Sequence, residues 1–162
     1  MDHEHVREGT VLAAIITVST SRTAEQDLSG PAIKTILGEA GIETVCYTVV
    51  PDDIGRIRMA FFAALPRANC IIINGGTGLT NDDRTIEAIE PLLEKRMDGF
   101  GELFRWKSYG EIGTAAMLSR ALGGTFGRRA VFCIPGSPRA VQLAVRDLIV
   151  PEIAHILGHA GR

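Results

Sequence analysis

Short apolar runs along the chain alternate with longer segments in which apolar residues recur at helical spacing. Residues 11–18 and Cys70–Asn74 are almost continuously apolar, and a polar or glycine-rich stretch follows each of them. Such runs are typical of buried strands that end in loops. Glu43–Val50 alternates between apolar and polar positions and predicts another strand. Residues 28–41 and 54–66 lie between these strands and have the spacing of amphipathic helices.

The second half of the chain adds three helical segments. We expect a short helix at Thr85–Ile89 and an interrupted helical region at residues 99–119. Residues 139–157 also have helical spacing. We expect this last helix to break at Pro151, because proline has no backbone N–H to donate.

Apolar strands that are separated by helices indicate an α/β fold, in which helices cover both faces of a parallel sheet. Residues 124–126 and Arg129–Ile134 flank Gly127-Arg128 and could pair as a hairpin. That hairpin would add one antiparallel strand to the sheet. The sequence therefore predicts a mostly parallel sheet with one antiparallel strand.

Length and composition indicate one folded domain. Hydrophobic residues make up 46% of the 162 residues, which is more than a disordered chain contains. We assign residues 1–10 to a flexible polar tail and residues 11–162 to a single domain. His3 and His5 lie in the tail, where we interpret them as unpaired surface residues rather than as metal ligands.

Charge and cysteine content indicate which kinds of partner and which cellular compartment to expect. The net charge of -2 argues against nucleic acid as a partner, although backbone N–H groups could still bind a small anion. The cysteines, Cys46, Cys70 and Cys133, all lie in apolar runs, so we expect free buried thiols in a reducing compartment. Neither a signal peptide nor a membrane-spanning run is visible, so we expect a cytoplasmic protein with no membrane partner.

Four polar or glycine-rich loops follow predicted strands. They lie at residues 19–29, 51–53, 75–85 and 135–138. Ligands of open parallel sheets bind at the carboxyl ends of the strands. We therefore expect these loops to converge on one binding site.

Gly75-Gly76-Thr77-Gly78 is a candidate phosphate cradle. Glycines let the backbone approach a ligand closely and direct N–H groups at it. The run has neither the lysine of a Walker loop nor the spacing of a dinucleotide-binding fingerprint. A tight strand-to-helix turn without a ligand is the alternative interpretation.

Two aspartates follow the second and third strands and could hold Mg²⁺ together with phosphate oxygens. They are Asp52, after the second strand, and Asp83, after the third. Helix capping is the alternative for each. We assign the metal to Asp52 and Asp83, a capping role to Asp53, and a capping or supporting role to Thr85.

Several other polar residues are weaker candidates. Arg22 could bind phosphate, and Ser108, Ser119 and Arg120 could donate hydrogen bonds, but exposed surface positions are the ordinary alternative. The aromatic residues Phe61, Phe62 and Trp106 are better interpreted as packing than as a stacking platform. His155 and His159 are four residues apart on a helix, as metal ligands can be, but we favour a surface pair.

These motifs, in this order, resemble the MogA/MoaB family of molybdenum cofactor biosynthesis and the related G domain of gephyrin. The resemblance rests on residues 74–78 with Asp83 and Thr85, and on Gly99-Phe100-Gly101-Glu102, Leu118-Ser119-Arg120 and Pro135-Gly136-Ser137-Pro138. It covers nearly the whole chain. The stretch at residues 99–102 and the segment at residues 111–114 are more similar to MoaB than to MogA.

The resemblance implies a three-layer α/β/α domain that assembles into a trimer or hexamer. It implies a reaction in which the terminal phosphate of molybdopterin attacks the α-phosphorus of ATP, with Mg²⁺, to give adenylyl-molybdopterin and pyrophosphate. By position, Asp52 and Asp83 match the catalytic aspartates of the family. From the loops and the resemblance together, we expect substrate and nucleotide to contact Ser21, Arg22, Asp27, Ser29, Gly30, Gly75, Gly76, Thr77, Gly78, Thr85, Glu102, Ser108, Ser119, Arg120, Pro135, Gly136 and Ser137.

Two functions remain open at this level: an active adenylyltransferase, or a catalytically silent MoaB-like protein that binds molybdopterin. The presence of both Asp52 and Asp83 favours the enzyme. The first loop departs from the family pattern, because Ser19-Thr20-Ser21-Arg22 stands where the family commonly has Ser-Asp/Asn-Arg. An unrelated phosphate-binding α/β domain is a third, weaker possibility.

Overall fold

The computed structural model of the chain describes residues 9–162. Most of the predicted tail, including His3 and His5, lies outside the described residues. Within residues 9–162, no helix is long and apolar enough to cross a membrane.

A six-stranded sheet in the order β2-β1-β3-β6-β5-β4 forms the centre of the molecule. Its strands are β1 at Leu12–Val18, β2 at Glu43–Val50, β3 at Cys70–Asn74, β4 at Lys95–Arg96, β5 at Leu122–Phe126 and β6 at Arg129–Ile134. The first three strands and β6 pair in parallel, whereas β5 runs antiparallel to both of its neighbours. The mostly parallel sheet with one reversed strand is confirmed. The sequence analysis missed β4, which has only two residues, both exposed.

Helices cover both faces of this sheet, which gives the three-layer arrangement. The α-helices are α1 at Ser29–Glu39, α2 at Ile54–Ala64, α3 at Thr85–Ile89, α4 at Asp98–Ile112, α5 at Pro138–Val141 and α6 at Val150–Ala160. The predicted interruption after residue 99 is present, because a 3₁₀ helix at Gly113–Leu118 follows α4. The helix expected at Thr85–Ile89 has the predicted bounds.

Two hydrophobic cores lie on opposite faces of the sheet, and the alternation of side chains along β3 supplies both. Cys70 and Ile72 join the core beneath α1, α4 and α6, whereas Ile71 and Ile73 join the core beneath α2 and α3. Each of these four side chains is at most 1% exposed. A strand that is covered on both faces must be apolar at every position, which explains the unbroken apolar run.

The predicted break at Pro151 is wrong. The chain stays helical from Pro138 to Ala160, because a π-helix at Gln142–Ile149 joins α5 to α6. Pro151 lies in the first turn of α6, directly after this wider segment. A proline loses the i→i−4 hydrogen bond and collides with the carbonyl four residues earlier, and the changed bonding of a π-helix accommodates both effects.

The cysteines are free, as expected. Cys70 and Cys133 are fully buried in the cores, and burial raises the pKa of the Cys70 thiol to about 12. Cys46 is only half-buried. Cys70 and Cys133 therefore act as small apolar core residues.

Phe61 and Phe62 are adjacent in α2 but differ in burial. Phe61 is fully buried and packs against Phe126 with ring centroids 5.4 Å apart, whereas Phe62 is 46% exposed. The prediction of a core position is confirmed for Phe61 and only partly for Phe62.

Phe61→Ala should lower the free energy of unfolding by about 3–5 kcal/mol, since it leaves a cavity in the core. Phe62→Ala is the matched control and should cost clearly less, because water already reaches much of that ring. Urea denaturation of both variants measures the difference. Equal losses would show that the core does not depend on Phe61 in the way described.

Candidate functional site

The carboxyl ends of the parallel strands lie side by side, so the loops that follow them meet at one edge of the sheet. Thr17 in β1 pairs with Asn74 in β3, and Asn74 pairs with Ile134 in β6. The Gly75 amide then donates to the Ile134 carbonyl at 3.0 Å. The Ser19 amide joins the first loop to the end of β2 by donating to the Val50 carbonyl at 2.8 Å. The predicted convergence of loops is present.

The glycines of residues 75–78, here called the glycine loop, pass close to neighbouring groups. Gly75 has φ +90°, and a Cβ on it would lie 2.4 Å from the Val18 carbonyl oxygen. Gly76 has φ +67°, and a Cβ there would lie 2.3 Å from Thr85 Oγ1. These positive φ values are ones that glycine adopts without strain.

Thr85 supports the glycine loop and does not cap a helix. Its hydroxyl donates to the Gly75 carbonyl at 2.7 Å, and its amide donates to the Gly76 carbonyl at 3.0 Å. Thr85 itself is fully buried and is the first residue of α3. Of the two predicted roles, the supporting one is therefore the observed one.

Asp52 and Asp83 are held in the same way against the glycine loop. Asp52 Oδ2 accepts hydrogen bonds from the amide and hydroxyl of Thr20, at 3.0 and 2.8 Å. Asp83 Oδ2 accepts the same pair of bonds from Thr80, also at 3.0 and 2.8 Å. Neither aspartate caps a helix. Asp53 caps α2 instead, by accepting from the Arg56 amide at 2.8 Å.

The two carboxylates contact the glycine loop two residues apart. A Cβ on Gly76 would lie 3.1 Å from Asp52 Oδ1, and a Cβ on Gly78 would lie 2.6 Å from Asp83 Oδ2. A methyl group at Gly78 would displace the Asp83 carboxylate, and one at Gly76 would crowd that of Asp52. The loop and the aspartates therefore form one unit.

The pKa of Asp83 lies below its ordinary value. Partial burial raises this pKa, but hydrogen bonds from Thr80 and the Gly78 amide, together with the positive charge of Arg120, outweigh that effect. Asp83 is consequently ionised at neutral pH and can act as a metal ligand.

The donor set at this position fits Mg²⁺. Among residues 9–162, no group of three or more His, Cys, Asp or Glu side chains could hold a metal ion. Mg²⁺ is commonly bound by only one or two carboxylates, with substrate phosphates and water completing its coordination. Asp52 and Asp83 supply two carboxylates beside the glycine loop.

A cleft of about 630 Å³, here called the α4 cleft, opens on one side of the glycine loop. Three predicted binding residues, Thr77, Ser108 and Ser119, line it together with Asp83. Thr77 and Ser108 are buried in the cleft wall. Glu111 also lines the cleft, and the sequence analysis missed it because it lies in an amphipathic helix with many exposed polar residues.

A second cleft of about 500 Å³, here called the β1 cleft, lies on the other side of the Gly136 turn. The predicted residues Ser21, Arg22 and Ser29 line it, and Gly136 and Ser137 border both clefts. Arg22 is exposed, so its guanidinium group is accessible to a ligand.

Asn74 is a site residue that the sequence analysis did not single out. It is 1% exposed and lines the β1 cleft. Its Nδ2 donates to Thr17 Oγ1 at 2.9 Å, while its buried Oδ1 has no hydrogen-bond partner. A buried acceptor without a partner is costly, so a ligand with a hydrogen-bond donor would satisfy it. The available signal was an amide side chain that ends an otherwise apolar strand.

Asp27 and Gly30 are engaged with other groups of the protein at the start of α1. The Asp27 carboxylate is 3% exposed and accepts from Thr17 Oγ1 at 2.7 Å and from the amides of Ser29 and Gly30 at 3.0 and 3.1 Å. It also accepts from the Tyr47 hydroxyl. Burial and this bond to Asp27 raise the pKa of Tyr47. Asp27 and Gly30 therefore anchor the start of α1, because their polar groups are already satisfied within the protein.

Arg120 and Glu102 have different surroundings. Arg120 Nε donates to the Gly78 carbonyl at 2.9 Å, its Nη1 forms an ion pair with Glu87, and the residue lines a further cleft of about 490 Å³ together with Asp83. It therefore holds the glycine loop from outside. Glu102 is exposed and is not among the residues that line the α4 or β1 cleft. Ser137 caps α5 by accepting from the Ala140 amide at 3.2 Å, while Pro135 lines the α4 cleft as expected.

Comparisons with known proteins agree with this geometry. A family model described as "Probable molybdopterin binding domain" matches residues 14–155. The chain is 47% identical over 158 residues to molybdenum cofactor biosynthesis protein B of Bacillus cereus, in an alignment that covers 96% of this chain and 94% of that protein.

Solved structures share the fold. A crystal structure of a molybdenum cofactor biosynthesis protein B superimposes with a TM-score of 0.91 at 47% identity and covers 95% of this chain and 98% of its own. The tungsten cofactor synthesizing protein MoaB of Pyrococcus furiosus superimposes with a TM-score of 0.88 at 40% identity, with coverages of 96% and 100%. The matched family model and these relatives show that the chain belongs to the MoaB/MogA family of molybdenum cofactor biosynthesis proteins.

Proposed function

We propose that the chain is a Mg²⁺-dependent molybdopterin adenylyltransferase. An oxygen of the terminal phosphate of molybdopterin forms a bond to the α-phosphorus of ATP. The bond between that phosphorus and the oxygen bridging the α- and β-phosphates breaks, and pyrophosphate leaves with this oxygen. The observation that carries this proposal is the pair of clefts bordered by one glycine loop, with Asp52 and Asp83 held against that loop.

The chemical character of the clefts supports two different ligands. Phe104, Ile112 and Leu118 give the α4 cleft a largely apolar wall, and Ser108 and Glu111 add two polar groups. A flat heteroaromatic pterin with amide and amine donors fits such a surface. The β1 cleft offers hydroxyl groups, Arg22 and the Asn74 acceptor, which fit the more polar nucleotide.

The protein's part in the reaction is to position phosphate groups. The backbone amides of the glycine loop can cradle an anion where the two clefts meet. Asp52 and Asp83 would hold Mg²⁺, which supplies charge neutralisation for the transferred group. Phosphate oxygen is already ionised near neutral pH, so the attack needs no general base. The Thr20 and Thr80 bonds keep both carboxylates oriented before substrate binds.

Binding of molybdopterin without chemistry is the second candidate function. The first loop favours it, since Ser19-Thr20-Ser21-Arg22 departs from the family pattern at the position where Thr20 holds Asp52 Oδ2. The two functions share the α4 cleft and differ in the role of Asp52.

We also propose that the chain forms a homo-oligomer, in keeping with the trimer or hexamer expected from its family. Trp106, which the sequence analysis interpreted as a packing residue, is 71% exposed in the single chain. Other large apolar side chains of α4 and the following 3₁₀ helix are also about half exposed or more, namely Leu103, Tyr109, Ile112, Met117 and Leu118. Such a cluster usually marks a protein interface. Ile112 and Leu118 also line the α4 cleft, so a second copy would border the site.

Asp83→Asn should reduce pterin-dependent pyrophosphate release by about 100-fold or more, because it removes charge that acts on the transition state. The KM for molybdopterin should change little. Asp52→Asn should behave in the same way if the chain is an enzyme. Asp53→Asn is the matched control and should keep its activity, since Asp53 only caps α2. Pterin binding without pyrophosphate release in the wild-type chain would establish the binding function instead.

Light scattering should show an assembly larger than the monomer, and Trp106→Glu should shift it towards the monomer, since a buried unpaired charge opposes association. Met59→Glu is the control. Met59 is 67% exposed on α2, away from the apolar cluster, and the variant should leave the assembly intact. A monomeric wild-type chain, or equal effects of the two variants, would contradict the proposed interface.

The pKa of the Asp83 carboxyl should lie below its ordinary value. Titration followed by ¹³C NMR of this side chain measures it. Thr80→Val should raise this pKa, because it removes the hydroxyl bond to Oδ2. Since the folded-state pKa is depressed, the contribution of Asp83 to stability is present above the unfolded pKa and is lost as pH falls through the folded pKa. Thr35→Val removes a hydroxyl bond within α1 and should leave the titration unchanged. A wild-type pKa at or above the ordinary value would refute this electrostatic account.

A further inference from the structure

Two histidines on α6 direct ring nitrogens at each other. Nε2 of His155 and Nε2 of His159 lie 3.0 Å apart, and the ring centroids are 4.8 Å apart. Positions i and i+4 lie on the same face of a helix, one turn apart. The helix therefore brings two potential metal-ligating nitrogens together without any long-range contact.

A carboxylate fixes the orientation of the first of these rings. Glu152 Oε2 lies 3.1 Å from His155 Nδ1, so it accepts the proton that Nδ1 carries. With the proton on Nδ1, the neutral ring has its lone pair on Nε2, which faces His159. Carboxylate groups orient metal-binding histidines in the same way in many proteins.

We propose that His155 and His159 form a binding site for a divalent transition-metal ion such as Zn²⁺, with Glu152 as the residue that orients His155. Zinc–nitrogen bonds of about 2.0–2.1 Å at a tetrahedral angle place two nitrogen ligands about 3.3–3.4 Å apart. The two Nε2 atoms share a hydrogen bond at 3.0 Å, so they need to separate only slightly when the metal replaces the proton between them and that proton moves to His159 Nδ1. Imidazole nitrogen suits zinc, copper and nickel. Water molecules complete the coordination, since the His155 side chain is 51% exposed.

The site borders a cleft of about 830 Å³, here called the α6 cleft, which is separate from the clefts beside the glycine loop. The charged groups that face it from other elements are Glu94, Lys95, Arg96, Arg128 and Arg162. Arg96 is paired with Glu90 and Asp98, and Glu94 accepts from the Gly127 amide, so the remaining cationic groups repel a metal ion. Salt screens such repulsion between exposed charges. Metal affinity at this site should consequently rise with ionic strength.

Isothermal titration of the full chain with Zn²⁺ tests the proposal. We expect one saturable site that His155→Gln or His159→Gln removes. Glu152→Gln should weaken it by up to about tenfold, because the orienting carboxylate is lost. The affinity should fall as the solution is acidified, since protons compete for the same nitrogens. Long-range ¹⁵N NMR should show the Nε2 signals of both rings shifting on metal addition.

The control variant carries His3→Gln and His5→Gln, which removes the other two histidines of the chain. It should bind Zn²⁺ as the wild-type chain does. Binding that is lost in this variant, or that survives His159→Gln, would overturn the proposal, as would the absence of a saturable site in the wild-type chain. Thermal unfolding without metal should be similar for all variants, because both histidines are exposed.

Discussion

The close approach of the glycine loop to the sheet edge is the constraint on which the site depends. The loop is bound to β6 through the Gly75 amide and to α3 through Thr85. Arg120 binds it to the segment that precedes β5. A side chain at Gly76 would collide with the Thr85 hydroxyl and approach Asp52. The same contacts that exclude side chains thus position the two aspartates. The glycine loop and the two carboxylates therefore cannot be altered independently.

A buried polar network beneath the loops gives the site its rigidity. Tyr47 in β2 donates to Asp27, and Thr17 in β1 donates to the same carboxylate. Because the Thr17 hydroxyl donates to Asp27, it can only accept from Asn74 Nδ2, and this fixes the orientation of the amide. Asn74 Oδ1 is consequently left without a partner at the β1 cleft. The network crosses three strands and ends at the position where we place the nucleotide.

The differences between expectation and structure have a common cause. Asp27 and Arg120 carry chemistry that could bind phosphate, but each is used within the protein, by the amides that begin α1 and by the Gly78 carbonyl. Asn74 is the opposite case. Its place at the end of an apolar strand did not reveal that its Oδ1 has no hydrogen-bond partner among residues 9–162. Residue type and spacing show which side chains can form hydrogen bonds with a ligand. They do not show which protein groups from distant parts of the chain already bind those side chains.

The sequence by itself predicted the parallel strands and the helices between them, because a strand covered on both faces must be apolar throughout. Together with the family motifs, it also placed Asp52 and Asp83 in the loops after β2 and β3, which lie on either side of β1. Only the tertiary structure decided which polar groups remain free, how α4 divides its exposed and cleft-facing residues, and that Pro151 is accommodated after a π-helix. The physical reason is that hydrophobic periodicity acts over a few residues, whereas hydrogen-bond satisfaction depends on groups brought together by the whole fold.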